Sequence, residues 1–330
     1  MTGSAFRVAV TGDYEELALE VAPWERLGPE VAVLPFNRPL GSAEATVAAL
    51  RNFDAIALMR ERTSLSGPVL SQLPRLKLIV FTGRNVTTID YATAARLGIA
   101  VCGTVGAGAN PSRGGGSPSE LALALMLACA WNIPRADSLV RAGNWAFGPG
   151  NLLRGKALGI LGYGNIGKAV ARYGLALGMS VLAFSRSLSD EEALANGVRK
   201  VDLATLLREA DVVTIHLPLT SATRGLIGAR EIGWMKPGVI LINTARAGIV
   251  DPLAMREALR TLKIAMAGLD VFDQEPPPAD DPLLTLPNVV LTPHIGYVTR
   301  ENLAGMYGKV VEVVAAFRRG TLLNPHAPSV

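Results

Sequence analysis

The chain has 330 residues, 49% hydrophobic and 18% charged, which is material for about two domains with real cores and argues against global disorder. Its net charge of +4 carries no basic run longer than Arg318-Arg319 and only 5% aromatics. That argues against a nucleic-acid surface, where basic charge clusters on one face among aromatics, and leaves room for a local positive excess at an anion-binding cleft.

Short β-branched runs alternate with helical patterns from the start. Phe6–Val10, Val31–Phe36, Ala55–Met59, Leu76–Phe81 and Ile99–Cys102 read as strands, with helices between them at Ser42–Arg51 and Ile89–Leu97, the latter capped by Thr88 or Asp90. Repeated βα units imply a parallel sheet with right-handed crossovers. The pattern breaks at Gly103 to Ser119, a Gly/Pro/Ser-rich connection. An apolar helix follows from Ser119 to about Trp131, with Ser117 or Ser119 expected as N-cap. Composition leaves open whether it is a core helix or a subunit interface. Its apolar run, Leu121 to Trp131, falls short of the roughly 20 residues of a membrane span.

A second βα series then begins. Its strands are Ala157–Leu161, Ser180–Phe184, Val212–His216, Val239–Asn243, Ala265–Val271 and Val289–Thr292. Its helices lie near Gly164–Leu177, Leu203–Glu209, Ala229–Met235 and Pro252–Leu262, and a last long helix, Glu301 to Arg318, is expected to return to the first series. Cys102 and Cys129 sit in apolar surroundings without metal-ligand spacing, and Met1 to Val10 lacks the build of a signal peptide. The expected setting is cytoplasmic, with no metal and no membrane partner.

The segment 158-LGILGYGNIG-167 is an apolar strand entering Gly162-x-Gly164-x-x-Gly167 and then a helix. Gly162 permits the tight turn, Gly164 lets backbone approach a pyrophosphate, and Gly167 allows close helix–strand packing. The N–H groups around Asn165 and Ile166 then face the phosphates, assisted by the helix dipole. A Gly-rich turn alone is weak evidence, but here the strand, the helix and the next strand are all in place. That next strand ends in 183-AFSRS-187, without the carboxylate that holds the ribose of NAD. Ser185, Arg186 and Ser187 offer donors and charge to a 2′-phosphate, so NADP is favoured. An Arg186 that merely stacks on adenine keeps NAD open.

Three later segments each place one ionisable group at or just beyond a strand's C-terminal edge, where open α/β sheets keep their chemistry: Arg246, Glu275 and His294. Hydride transfer to a 2-oxo acid needs a cation to fork the carboxylate, an acid to protonate the carbonyl oxygen, and a carboxylate to orient that acid. Arg246, His294 and Glu275 fit in that order. Singly each has a plainer reading: Arg246 as a helix cap or partner of Asp251, Glu275 in a solvated turn, His294 as structural.

With these blocks, and with 211-DVVTIHLPLTSATRGLIG-228, 234-WMKPGVILINTAR-246 and 268-GLDVFDQEP-276, the chain resembles the D-isomer-specific 2-hydroxyacid dehydrogenases over nearly its whole length. The resemblance implies two doubly wound parallel-sheet domains. One is a split flavodoxin-like catalytic domain of residues 1–104 with 297–330, the other a Rossmann dinucleotide-binding domain of residues 105–296, with the active site in the cleft between them. It makes Arg246, Glu275 and His294 the catalytic residues and sets Asp270 against the nicotinamide carboxamide. Thr244, Ala245 and Arg246 line the nicotinamide, and His216 and Pro218 wall the cofactor. Thr223, His294 and Gly296 count among the cofactor positions. The loop 82-TGRN-85 is the turn that grips the substrate carboxylate, with Gly83, Arg84 and Asn85, joined by Arg246 and His294, as substrate-binding positions. The implied partners are a small anionic 2-oxo or 2-hydroxy acid, such as glyoxylate or hydroxypyruvate, and a second copy of the chain in a homodimer that uses the apolar helix.

Departures from the family pattern are Ala247 in place of a usual glycine, Arg84-Asn85 where small residues are common, and a long glycine-rich stretch over 106–116. Alternatives on the same scaffold are a dinucleotide-sensing co-repressor-like protein, or oxidation of another small anion such as formate or phosphite.

Overall fold

A computed structural model of the chain describes residues 5–83, 86–104, 116–145 and 148–326. Arg84, Asn85 and most of the glycine-rich stretch lie outside the described residues. The chain divides into two compact units, the first holding the described residues up to Thr104 together with 299–326, the second holding 116–298.

In the first unit, β1 (Phe6–Thr11), β2 (Val31–Phe36), β3 (Ala55–Leu58), β4 (Leu78–Phe81) and β5 (Ala100–Gly103) form one sheet in the order β2-β1-β3-β4-β5. Every pairing is parallel, with Val8 opposite Val33 on one side and Ala55 on the other. This is the flavodoxin-type doubly wound order. Strands β3 and β4 are buried along their whole length, because helices covering both faces require apolar side chains pointing both ways. Asp90, not Thr88, caps the helix Tyr91–Arg96, accepting the Thr93 N–H.

The long C-terminal helix, Arg300–Arg318, belongs to this unit. Its Tyr307 is fully buried and donates to Asp13 Oδ1 at 3.3 Å, while Asp13 also accepts the Leu17 and Ala18 N–H groups. Beyond the helix the chain runs back along β5: Gly103 N–H donates to Asn324 C=O and His326 N–H to Val101 C=O. The His326 ring then stacks 4.4 Å from Tyr91.

In the second unit, β6 (Ala157–Leu161), β7 (Ser180–Phe184), β8 (Arg199–Lys200), β9 (Val212–Ile215), β10 (Val239–Asn243), β11 (Ile264–Leu269) and β12 (Val289–Leu291) form a parallel sheet in the order β12-β11-β10-β9-β6-β7-β8. The order reverses between β6 and β9, the switch point at which doubly wound sheets bind ligands. The architecture is the two parallel α/β domains expected, a Rossmann sheet and a flavodoxin-like sheet. The two-residue β8 went unforeseen because both its residues are charged and exposed. The helix Ile133–Arg141, which buries none of its residues, was also missed.

The apolar helix starts earlier than expected, at Gly116, and runs to Trp131. Ser117 and Ser119 are therefore inside it rather than capping it, and Ser119 Oγ donates back to Gly116 C=O at 2.7 Å. Its Ala122, Leu125, Met126 and Cys129 join the core shared with β6, β10 and β11. Cys102 and Cys129 are both unpaired and buried. Among the described residues, no helix is long and apolar enough to cross a membrane, and no acidic, histidine or cysteine cluster could hold a metal.

Candidate active site

The turn after β6 is built around absent side chains. Gly162 has φ +99°, and a Cβ on Gly167 would lie 2.0 Å from the Gly162 carbonyl oxygen, so strand and helix approach as closely as backbone allows. Gly164 is the N-cap of the helix Asn165–Ala176, whose first turn holds no acidic residue and, among the described residues, gains no side-chain cap. A Cβ on Gly164 would meet nothing within 4 Å. The outcome is an open cradle above a helix N-terminus with its amides at Asn165, Ile166 and Gly167, which fits a pyrophosphate.

Beyond β7, Ser185 and Ser187 bring their hydroxyl oxygens within 3.3 Å, and Arg186 between them is exposed. Of the acids that follow, Asp190 pairs with Lys200 and Glu192 with Lys168. Across the switch point, His216 accepts or donates at Nε2 to Thr214 Oγ1 at 2.9 Å, and burial drives its imidazole down to about 3. It is therefore neutral at pH 7. Pro218 and Thr223 form a closed turn in which the Thr223 hydroxyl donates to Pro218 C=O at 2.6 Å and accepts Thr220 N–H at 2.8 Å.

Strand β10 delivers the next group. Its final residue, Asn243, is 2% exposed and bonds both ways to the following loop, accepting Ala245 N–H at 3.0 Å and donating to Arg246 C=O at 3.0 Å. Thr244 has a buried hydroxyl with no partner among the described residues, an orphan in the segment expected to line the nicotinamide. Arg246 is exposed, and its Nη1 donates to Ala245 C=O at 2.7 Å. No ion pair joins it to Asp251, which instead caps the helix Pro252–Arg260.

Asp270, one residue past β11, is 1% exposed. Its Oδ1 accepts Thr292 Oγ1 at 2.6 Å and Ile295 N–H at 2.8 Å, and its Oδ2 accepts Gly296 N–H at 2.9 Å. Burial pushes its carboxyl up, and these donors with the charge of His294 offset that only in part. The same bonds fasten both flanks of His294, which sits in the left-handed region at φ 55°. A non-glycine residue held there is a strained one whose surroundings over-determine it.

His294 Nδ1 lies 2.6 Å from Glu275 Oε2, and Glu275 Oε1 accepts Phe272 N–H at 3.1 Å. Burial works to raise the Glu275 carboxyl. The bond and charge from His294, the Phe272 amide and the nearby Arg246 guanidinium outweigh it and hold the group below the ordinary carboxylate range. The three residues singled out from the sequence are thus gathered in one unit, at the strand ends. Gly83 lies in the other unit, at φ +99°, and its neighbours Arg84 and Asn85 are outside the described residues. Sequence reasoning missed Asn243, Thr292 and the Phe272 amide. The one available signal was a carboxamide closing the otherwise apolar strand VILIN.

A glycine cradle at the switch point of a Rossmann sheet, with an imidazole–carboxylate pair beyond the strand ends of the same sheet, defines a dinucleotide-binding α/β protein with acid–base capability. A family model described as "D-isomer specific 2-hydroxyacid dehydrogenase, NAD binding domain" matches residues 123–296, and the chain belongs to that family. Its second unit is accordingly a nicotinamide-dinucleotide domain.

The chain is 40% identical over 331 residues to a glyoxylate reductase of Aeropyrum pernix, covering 95% of this chain and 93% of that protein. It is 43% identical over 262 residues to a D-3-phosphoglycerate dehydrogenase of Archaeoglobus fulgidus, covering 79% of this chain but only 48% of that longer protein, so it spans about half the relative's length. Among solved structures, a phosphoglycerate oxidoreductase from Vibrio cholerae superposes with TM-score 0.87 at 31% identity, covering 96% of this chain and all of that one. A Salmonella D-lactate dehydrogenase gives TM-score 0.81 at 27% identity, over 98% of this chain and all of that one.

Proposed function

We propose that the protein is a nicotinamide-dependent dehydrogenase that interconverts small 2-oxo and 2-hydroxy acids of the glyoxylate or hydroxypyruvate kind, with NADPH preferred. The observation that carries this reading is the 2.6 Å bond between His294 Nδ1 and Glu275 Oε2 with Arg246 close enough to act on the same carboxylate. A bound nicotinamide dinucleotide would supply or accept the hydride. The turn of Gly162 to Gly167, the hydroxyls of Ser185 and Ser187, the unpartnered Thr244 hydroxyl and Asp270 would hold it.

Arg246 forks the substrate carboxylate and fixes its plane. Glu275 commits Nδ1, so His294 presents Nε2 to the carbonyl oxygen at C2 and donates the proton that the reduced oxygen needs. In oxidation, neutral His294 takes the hydroxyl proton at the same nitrogen. Gly83, Arg84 and Asn85 are the substrate-binding loop of this reading. It assigns residues 1–104 with 297–330 to the substrate domain and 105–296 to the dinucleotide domain. A pure dinucleotide sensor has no use for an imidazole–carboxylate pair beside an exposed arginine.

The lack of a carboxylate over 183–187 and the exposed Arg186 support NADPH, since an acid there would repel a 2′-phosphate. A homodimer through the second unit accounts for the apolar side chains left at its surface, Trp131, Ile133, Val140, Leu152 and Trp145, the last 90% exposed. A cytoplasmic setting suits the unpaired Cys102 and Cys129. The test is to mix purified protein with NADPH or NADH and a panel of 2-oxo acids including glyoxylate and hydroxypyruvate. Nicotinamide absorbance should fall, faster with NADPH; no loss with any acid refutes the reading.

A further inference from the structure

Asn243 closes a strand whose other four residues are apolar and buried, and which is paired on both sides. A carboxamide at that depth is costly unless its hydrogen-bonding groups are satisfied. Both ends are spent on the loop that carries Arg246: Oδ1 accepts Ala245 N–H and Nδ2 donates to Arg246 C=O, each at 3.0 Å. The partners fix the orientation of the amide, since an N–H needs the oxygen and a carbonyl needs the nitrogen. The two bonds bracket the peptide between Ala245 and Arg246, and the carbonyl of that peptide accepts Nη1 of the Arg246 guanidinium. The Asn243 carbonyl in turn accepts Asp270 N–H at 3.0 Å, which anchors the clasp to β11.

We infer that Asn243 is a positioning residue that sets the direction in which Arg246 offers its guanidinium to the substrate carboxylate. The inference rests on the substrate role given to Arg246 above. Aspartate keeps the acceptor for Ala245 N–H but turns a second oxygen on the Arg246 carbonyl. Alanine removes both bonds. The effect is therefore graded, and it passes through Arg246 rather than through His294.

The experiment measures binding of oxamate, a carboxylate isosteric with a small 2-oxo acid, to the dinucleotide-loaded protein by calorimetry, with amide hydrogen exchange on the unliganded protein. Asn243→Ala should weaken oxamate about tenfold, in line with two lost hydrogen bonds, with Asn243→Asp between it and the wild type. In an Arg246→Ala background, Asn243→Ala should cause no further loss, the non-additivity of a residue acting through another. Exchange at the Ala245 amide should quicken while the rest of β10 stays protected.

Unchanged oxamate binding by Asn243→Ala, losses that add in the double variant, or unaltered exchange at Ala245 overturns the inference. If Asn243→Ala does not fold, the near-isosteric Asn243→Asp carries the same cycle. If the loaded wild type binds no oxamate, the 2-oxo acid reading falls on its own, and exchange at Ala245 alone decides the clasp.

Discussion

His294 and Glu275 are joined at 2.6 Å between Nδ1 and Oε2, while the other carboxylate oxygen is held by the Phe272 amide at 3.1 Å. Both Glu275 oxygens are thus committed, and the imidazole cannot turn without breaking a charge-assisted bond. Glu275→Gln should lower kcat by about 10- to 100-fold, since such a bond contributes about 1.5–3 kcal/mol. The sign of the pH dependence follows from the depressed Glu275 carboxyl. Its contribution is complete above its ordinary value of 4.5 and disappears as pH falls through the lower folded value. The penalty of Glu275→Gln in kcat/KM should therefore persist down to pH 4.5 and shrink only as pH falls through that lower folded value; a pH profile of both proteins checks this.

The histidine beyond β9, His216, carries a second pH dependence, set by burial. Burial drives the His216 imidazole from 6.5 down to about 3. The unfolded chain binds that proton first, so the stability held above pH 6.5 is lost progressively as pH falls towards 3. His216→Asn should flatten this part of the melting-temperature profile. It should also leave the pH dependence of turnover in place, because a group that is neutral throughout the working range is not the titrating acid.

The glycine turn separates a structural from a ligand-binding requirement. Gly167→Ala forces a Cβ to 2.0 Å from the Gly162 carbonyl oxygen, and should cost about 1–3 kcal/mol of stability or more. Gly164→Ala meets nothing in the chain within 4 Å, and should cost no more than about 1 kcal/mol, that of a poorer N-cap. It should nevertheless weaken dinucleotide binding, because the added methyl stands where a pyrophosphate would approach. Thermal melts with and without NADPH read both effects.

Cofactor choice turns on the end of β7. Ser185→Asp places a carboxylate opposite a 2′-phosphate and beside a ribose diol, and should shift the ratio of NADPH to NADH affinities towards NADH by about tenfold or more. Titration of each dinucleotide by fluorescence measures that ratio.

Much of this was legible in the residues. The period of apolar runs marked eleven of the strands, because strands buried on both faces are continuous β-branched stretches bounded by turns. The glycine spacing marked the cradle, since only glycine fits where backbone meets backbone. Arg246, Glu275 and His294 were marked by their positions beyond strand ends. Most of what escaped lacks a local signal. Arg199–Lys200 is a strand only because β7 lies beside it. Ser117 and Ser119 look like caps, but the helix starts at Gly116. Thr292 acts through Asp270, a partner that only the folded sheet brings near, and bonds to Asp270, 24 positions earlier in the numbering, flank the left-handed backbone of His294. Asn243 bonds to the loop directly after it, and only its carboxamide at the end of an apolar run marks it.

The most direct test of the account compares wild type and His294→Ala in NADPH-dependent reduction of glyoxylate and hydroxypyruvate, with the dissociation constant of NADPH measured for both. The wild type should turn over at least one of these acids, and the variant should still bind NADPH yet, with both proteins saturated by it, turn over about 10²–10⁴-fold more slowly, the usual weight of a positioned general acid. A His294→Ala protein as fast as the wild type would contradict it.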